Sequence, residues 1–186
     1  SYAAALFFYH GENMYKRIPQ RLKYMGDIGE GRFYAGMLGE LMKDSRYFND
    51  IDLVIPVPLH WARRWKRGYN QAEVIARAIA QELGSPVRTD LLVRRKSTRT
   101  QTRLDVGEKQ KNVQGAFALS RKAEKSQSGR RRLHGLDDSG RHRHVLIVDD
   151  VLTTGATMAE CMEVLQPYFG RATRLSCATL GFVNNG

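Results

Sequence analysis

Val145-Leu146-Ile147-Val148-Asp149-Asp150-Val151-Leu152-Thr153-Thr154-Gly155-Ala156-Thr157-Met158 is the stretch that decides the fold. Its four opening residues are branched and apolar, and a run this short beside turn-forming residues predicts a strand buried on both faces. Two carboxylates, Asp149 and Asp150, stand at the carboxyl end of that strand. The small residues Thr153 to Thr157 then form a turn, and beyond it the apolar period changes from two to about 3.6. Cys161, Val164, Leu165 and Tyr168 are spaced as one face of a helix, and Thr157 with Glu160 predicts a capping box at its start. The unit reads as strand, acidic corner, small-residue loop, helix.

That unit has a chemical use. The first amides of a helix lack intrahelical partners, and the helix dipole adds positive potential there. A glycine-bearing loop lets those amides close around a phosphate, with threonine hydroxyls as further donors. The loop has no lysine, so it is not the Gly-x-x-x-x-Gly-Lys-Ser/Thr loop of P-loop nucleotidases. Carboxylates at the strand's carboxyl end lie where open α/β sheets bind ligands, and they suit the hydroxyls of a sugar. A phosphate on one side and a diol on the other describe a ribose 5-phosphate. A lone Asp-Asp or a lone Thr-Thr-Gly would suit a plain βα turn; the whole ordered string favours the ligand.

The chain has 186 residues, 42% of them hydrophobic, enough for a single domain with its own core. No apolar run approaches the roughly 20 residues of a membrane span. Ala3 to Tyr9 is too short for a signal sequence and lacks its flanks. A soluble, cytoplasmic protein is expected, and the opening Ser1 leaves the natural start undetermined. Cys161 and Cys177 form no Cys-x-x-Cys, so this sequence encodes no zinc ribbon; both read as buried free thiols. His134, His142 and His144 lack a third ligand at sensible spacing and read as solvated, and no metal site is assigned to side chains.

Net charge is +11, and it is unevenly placed. Residues 1–55 balance, seven basic against seven acidic. Residues 56–72 carry four basic and no acidic side chains, 94–111 seven and two, and 121–143 eight and three. Such segments attract polyanions, either pyrophosphates or nucleic acid. For 121–143 a solubilising surface is an equal reading.

In chain order, Ala3 to Tyr9 reads as a strand, and Ile18, Leu22 and Met25 as a short helix after Pro19. Residues 29–43 form an amphipathic helix that buries Phe33, Met37, Leu38 and Leu41. Ile51 to Val57 is a second buried strand, ended by Pro56 and Pro58. The segment from Leu59 to Tyr69 carries Arg63, Arg64, Lys66 and Arg67 between a strand end and a helix start, a place suited to an anion, with Trp61 and Trp65 packed beneath. Asn70 and Glu73 predict a capped helix with Ala72, Ile75, Ile79 and Leu83 as its buried stripe, ended by Gly84. Val87 to Val93 reads as a strand, and 94–104 as a mobile basic loop able to close on a charged ligand. Residues 112–119 return to a strand, 121–143 form a flexible basic insertion, and Arg174 to Leu180 close the sheet before a tail at 183–186.

The 145–158 string resembles the binding motif for 5-phosphoribosyl 1-pyrophosphate (PRPP) of type I phosphoribosyltransferases. Around it stand Lys23-Tyr24-x-Gly26-Asp27, Pro56-Val57-Pro58, Arg67-Gly68-Tyr69-Asn70-Gln71, Gln101 with Leu104, and Asn112-Val113-Gln114-Gly115-Ala116-Phe117. In that order they resemble the ComF/GntX family of phosphoribosyltransferase-like proteins, across about residues 5 to 181. Many members begin with a four-cysteine zinc ribbon that this sequence lacks, and the 121–143 insertion is longer than usual.

The resemblance implies the type I phosphoribosyltransferase fold: a parallel sheet with helices on both faces and a small hood. It implies Asp149 and Asp150 on the ribose hydroxyls of PRPP, and Thr153, Thr154, Gly155, Ala156 and Thr157 around its 5-phosphate. The segment after Pro58 corresponds to the pyrophosphate loop, with Arg63, Arg64 and Arg67 as candidates. Lys96 and Arg95 would arrive with the closing loop, Lys96 as a catalytic group, and Mg²⁺ would accompany PRPP. The family is associated with competence and the use of external DNA. Two readings follow: a transferase that displaces pyrophosphate from C1 of PRPP, or a PRPP-sensing protein that handles single-stranded DNA or contacts DNA-uptake proteins.

Overall fold

The computed structural model describes residues 1–10, 28–96, 114–128 and 144–184. The expected helix around Ile18 to Met25, most of the basic loop and residues 129–143 lie outside these.

Four strands, β1 (Ala3–His10), β2 (Leu53–Pro56), β5 (His144–Leu152) and β6 (Arg174–Asn184), form one parallel sheet in the order β1-β6-β5-β2. Its centre is the strand expected from Val145 to Val148. Because successive side chains alternate across a strand, β5 divides its apolar run between two cores. Val145 and Ile147 pack with Met158, Cys161, Leu165 and Phe169 of helix α5 (Ala156–Phe169). Leu146 and Val148 face α1 (Ile28–Lys43) and α3 (Gln71–Leu83) through Ala35, Leu38, Ile75 and Ile79. The sheet therefore carries helices on both faces, as expected. Cys161 and Cys177 are buried free thiols.

Several elements differ from the sequence reading. Helix α1 buries Leu38 as expected but turns Phe33, Met37 and Leu41 outward, burying Gly31, Ala35, Gly39 and Met42 in their place. The reason is a close helix crossing: a Cβ on Gly39 would stand 2.9 Å from Glu82 Cβ and 3.2 Å from Ile79 Cα. Only the small-residue face of α1 fits there, so the large apolar residues go outside. The segment expected as a loop contains helix α2 (Trp61–Arg67), with no buried residue. Trp61 and Trp65 do not pack beneath its cations; they are 70% and 86% exposed. The strand expected over Val87 to Val93 shrinks to β3 (Leu92–Arg94), which pairs antiparallel with β4 (Phe117–Leu119), while Val87 makes a single bridge to Val54. The first residues of the expected insertion form helix α4 (Arg121–Ser128), anchored by the buried Ala123. Strand β6 continues through the residues expected as the start of a tail.

His144 is not solvated but fully buried at the amino end of β5. Its Nδ1 lies 2.7 Å from Asp50 Oδ1 and its Nε2 2.8 Å from Ser176 Oγ, while its backbone N–H donates to Asp52 Oδ2 at 2.8 Å. Arg174 pairs with Asp50 and also lies beside the ring. Tyr2 N–H donates to the Ser176 oxygen. A neutral imidazole satisfies this set: Nδ1–H donates to Asp50, and the Ser176 hydroxyl donates to Nε2. Ser, His and Asp stand in a row, but Ser176 is itself buried, so the row ties strands together rather than presenting a nucleophile.

Burial, helped by Arg174, lowers the His144 pKa despite Asp50 and Asp52. Burial pushes Asp50 up, yet its bonds from His144 and Arg174 outweigh that and lower it. Both groups bind protons more readily when unfolded, so both stabilise the fold at neutral pH and lose that contribution as pH falls. For His144 the loss begins near pH about 6.5, its unfolded value. We expect the melting temperature to fall between about pH 7 and 5, and His144→Gln to flatten that slope. Melting curves across pH check it; identical slopes would contradict the role given to His144.

Candidate active site

The acidic corner is built differently from a strand followed by a turn. Strand β5 runs on through both aspartates, with Asp149 opposite Thr179 and Leu152 opposite Phe182. Asp149 and Asp150 are half-buried strand residues near its carboxyl end, and Asp150 N–H donates to Asp149 Oδ1 at 2.8 Å. Alternation puts Asp149 on the face of α5 and Asp150 on the other. The turn follows at residues 153–155, where Gly155 takes a left-handed conformation (φ 77°) and caps α5. That conformation is open to glycine and costly for residues with a Cβ. It swings the chain so that the first amides of α5 stand at the strand's carboxyl end. Ala156 N–H lies 3.5 Å from Thr154 Oγ1, and Thr153 is exposed.

The expected capping boxes do not form. Thr157 lies inside α5, and Glu160 instead accepts from the backbone N–H of Ala116 and of Phe117, at 2.7 and 3.2 Å. This carboxylate fixes the β3–β4 hairpin to the side of α5. At α3, Asn70 makes no side-chain cap; its Nδ2–H donates to Val57 O at 3.0 Å. Glu73 turns to Arg77 and Arg64. The Asn70 bond ties the end of α2 to the carboxyl end of β2, and Gly68, left-handed at φ 82°, turns the chain between the helices. Gln71 is buried, yet its Nε2 meets no acceptor among the described residues; nothing in those residues accounts for it.

The hairpin brings in a residue that sequence reading did not single out. Arg94, at the end of β3, lies half-buried with Cζ 5.2 Å from the centre of the Phe117 ring. Burial and the neighbouring Arg63 charge lower its pKa, while Asp149, Cys161 and Glu160 oppose that. Burial, then the negative charges of Asp149 and Glu160, pushes the Cys161 thiol far up, so it remains protonated and unreactive. Arg94 thus feels both the Arg63 and the Asp149 charge. The signal for Arg94 was its place at the edge of the basic segment, where a strand residue was hard to tell from a loop residue.

The other candidates fall in different places. Arg64 is 3.7 Å from Glu73 Oε2, and Arg67 is half-buried at the end of α2. Arg95 reaches toward Glu124 at 3.9 Å, and Lys96 Nζ donates to Gln114 O at 3.0 Å beside Gly115. A cleft of about 670 Å³ opens between α1 and α3, lined by Arg32, Arg64, Tyr69, Glu73 and Arg77 among others. No residue of the acidic corner or its turn lines it, so cleft size and corner chemistry point to different places, and the corner carries the functional argument.

A family model described as the phosphoribosyl transferase domain matches residues 70–181, which hold α3, the hairpin, the acidic corner and the closing strand. Competence protein F of Haemophilus influenzae is 31% identical over 150 residues, 79% of this chain and 59% of that protein. DNA utilization protein YhgH of Escherichia coli (strain K12) is 30% identical over 126 residues, 68% of this chain and 48% of that protein. The chain thus spans about half the length of these relatives. An orotate phosphoribosyltransferase from Aeropyrum pernix superposes with a TM-score of 0.41 at 16% identity, over 91% of this chain and 66% of that one.

Proposed function

The chain belongs to the phosphoribosyl transferase domain family, and on that footing we propose that it binds PRPP at the β5–α5 corner and displaces its pyrophosphate with an acceptor. The observation that carries this reading is the pair of half-buried carboxylates, Asp149 and Asp150, near the carboxyl end of the central strand, followed directly by the left-handed turn at Gly155 that opens α5; Arg94, whose charge feels that of Asp149, supports it. The turn's amides and the hydroxyls of Thr153, Thr154 and Thr157 take the 5-phosphate. Asp149 and Asp150 accept from the ribose hydroxyls and favour the cationic sugar that forms as the C1–O bond breaks. Arg63 and Arg94, with Arg67 nearby on α2, hold the negative charge that builds on the leaving pyrophosphate. Lys96 and Arg95 stand at the start of the basic segment and are added from there. Arg64, paired with Glu73, is the weakest of the original cations.

No group of three or more His, Cys, Asp or Glu among the described residues makes a metal cage. Two carboxylates suit Mg²⁺, which takes most of its ligands from substrate phosphates and water. Asp149 and Asp150 are the residues to meet it, and its part would be to neutralise pyrophosphate charge. The test is incubation with PRPP and a panel of bases and amines, reading pyrophosphate release. Release that depends on one acceptor class is expected; none with any acceptor would contradict turnover.

A second reading is favoured by one observation, the exposure of Trp61 and Trp65. Four residues apart on α2, they share one side of a helix whose other residues include Arg63, Arg64, Lys66 and Arg67. Exposed rings among cations suit stacking on unpaired bases, so the same protein would handle single-stranded DNA. No helix among the described residues is long and apolar enough to cross a membrane. Trp61→Ala/Trp65→Ala is expected to weaken oligo-dT binding by about 30-fold to 10⁴-fold, from roughly 1–3 kcal/mol per stacked base at each of two rings. Binding of the unaltered chain should fall with added salt. Fluorescence titration checks both, and an unchanged affinity would remove the DNA reading from this helix.

A further inference from the structure

Gln71 opens α3 only 3% exposed, and its Nε2 meets no acceptor among the described residues. Buried polar groups are nearly always bonded, because a buried donor without a partner costs stability. A donor kept at that cost points to an acceptor that those residues do not supply. What the acceptor is depends on where the amide stands.

Three hydrogen bonds fix the direction of α3. Asn70 Nδ2–H donates to Val57 O at 3.0 Å, and Val57 N–H donates to Val148 O at 2.8 Å. Just beyond the other end of the helix, the Ser85 hydroxyl donates to Ile51 O at 2.7 Å. Helix α3 therefore runs antiparallel to β2 and β5, with its first turn at their carboxyl ends. Gln71, Ile75 and Ile79 follow one another at four-residue steps along its buried side. Leu146, Val148 and Asp150 follow at two-residue steps along one face of β5. Four helical residues rise about 6.0 Å and two strand residues about 6.6 Å, so the two rows keep step. Ile75 and Ile79 share a core with Leu146 and Val148. The next step, where that core gives way to the acidic corner, is Gln71 on the helix and Asp150 on the strand.

We propose that Gln71 is a further binding residue of this site: its Nε2–H donates to the oxygen of the ribose hydroxyl that Asp150 holds. The proposal rests on the reading of the β5–α5 corner as a PRPP site. The two groups are complementary. A hydroxyl that gives its proton to a carboxylate keeps two lone pairs on its oxygen. A carboxylate cannot serve them, whereas an amide can, and it does so without adding a charge that competes for the phosphates. The hydroxyl is then held both as donor and as acceptor. A sugar lacking it leaves Asp150 and Gln71 unpaired together, which is how a buried polar site rejects such an analogue.

Calorimetric titration of the full chain with PRPP and, separately, with inorganic pyrophosphate, both with Mg²⁺, tests this. Gln71→Met keeps the length of the side chain and removes the amide. It should weaken PRPP binding about 5- to 150-fold, the range for pairing a buried donor, and leave pyrophosphate binding unchanged. The ligand-free variant should melt at the same temperature or higher, because no unpartnered donor remains buried. Equal PRPP binding by both proteins, or equal losses for both ligands, overturns the proposal and leaves the PRPP reading standing. A lower melting temperature also overturns it, since the amide would then be bonded within the fold. An unaltered chain that does not bind PRPP removes the reading and the proposal together. Should Gln71→Met fail to fold, a crystal of the unaltered chain with PRPP decides in its place. Nε2 is expected within about 3.2 Å of a ribose hydroxyl oxygen, and an amide bonded only to water or protein overturns the proposal.

Discussion

Asp149→Asn/Asp150→Asn is expected to abolish measurable PRPP binding while leaving the protein folded. In the proposed site each carboxylate accepts charge-assisted bonds from ribose hydroxyls, worth about 1.5–3 kcal/mol each. Two together amount to a loss of roughly 10²- to 10⁴-fold in affinity. The fold should tolerate the change. Both side chains are half-buried rather than sealed in the core, and asparagine keeps an oxygen to accept the Asp150 N–H that Asp149 now takes. Ribose 5-phosphate should lose affinity in the same variant, because the diol contacts are shared. Calorimetric titration beside a melting curve separates binding from stability, and equal PRPP binding by both proteins would refute the assignment.

The second large effect is expected at Arg94. Arg94→Met keeps a long apolar stem over the Phe117 ring but removes the guanidinium beside Asp149. Pre-organised charge at a leaving group is worth about 10²- to 10³-fold in rate. Pyrophosphate release should therefore drop by that much, and inorganic pyrophosphate should bind far more weakly. Ribose 5-phosphate should bind as before, because Arg94 is assigned to the opposite end of PRPP. This pattern, opposite to that of the aspartate pair, distinguishes a lost contact from general damage. Equal losses for both ligands would show that Arg94 supports the hairpin rather than the pyrophosphate.

What could be read from the chain follows from how local each signal is. Val145 to Val148 and the Ala72–Ile79 stripe announce their elements because burial on both faces, or on one, leaves a short-range period. The turn at 153–155 is readable because glycine and small hydroxyl residues suit its backbone geometry, with Gly155 left-handed. Orientation was less readable. Phe33, Met37 and Leu41 look like a core stripe until Gly39 is seen to need contact with Ile79 and Glu82, a relation forty residues away in sequence. Glu160 looks like a helix cap and instead holds Ala116 and Phe117. His144 looks like a solvated histidine because its partners, Asp50 and Ser176, come from other strands and loops. Trp61 and Trp65 look like core because tryptophan usually is, yet α2 buries none of its residues and leaves both rings exposed. The charge of the site was legible as a sum over segments, but its division between Arg63, Arg94 and the outward-turned Arg64 needed the fold.

The most direct test is a crystal grown with PRPP and Mg²⁺. The account predicts the 5-phosphate against the backbone amides of the 153–157 turn, the ribose hydroxyls on Asp149 and Asp150, and the pyrophosphate toward Arg63 and Arg94. Ligand density in the cleft between α1 and α3 with the turn empty, or a corner that stays empty at saturating PRPP, would contradict it.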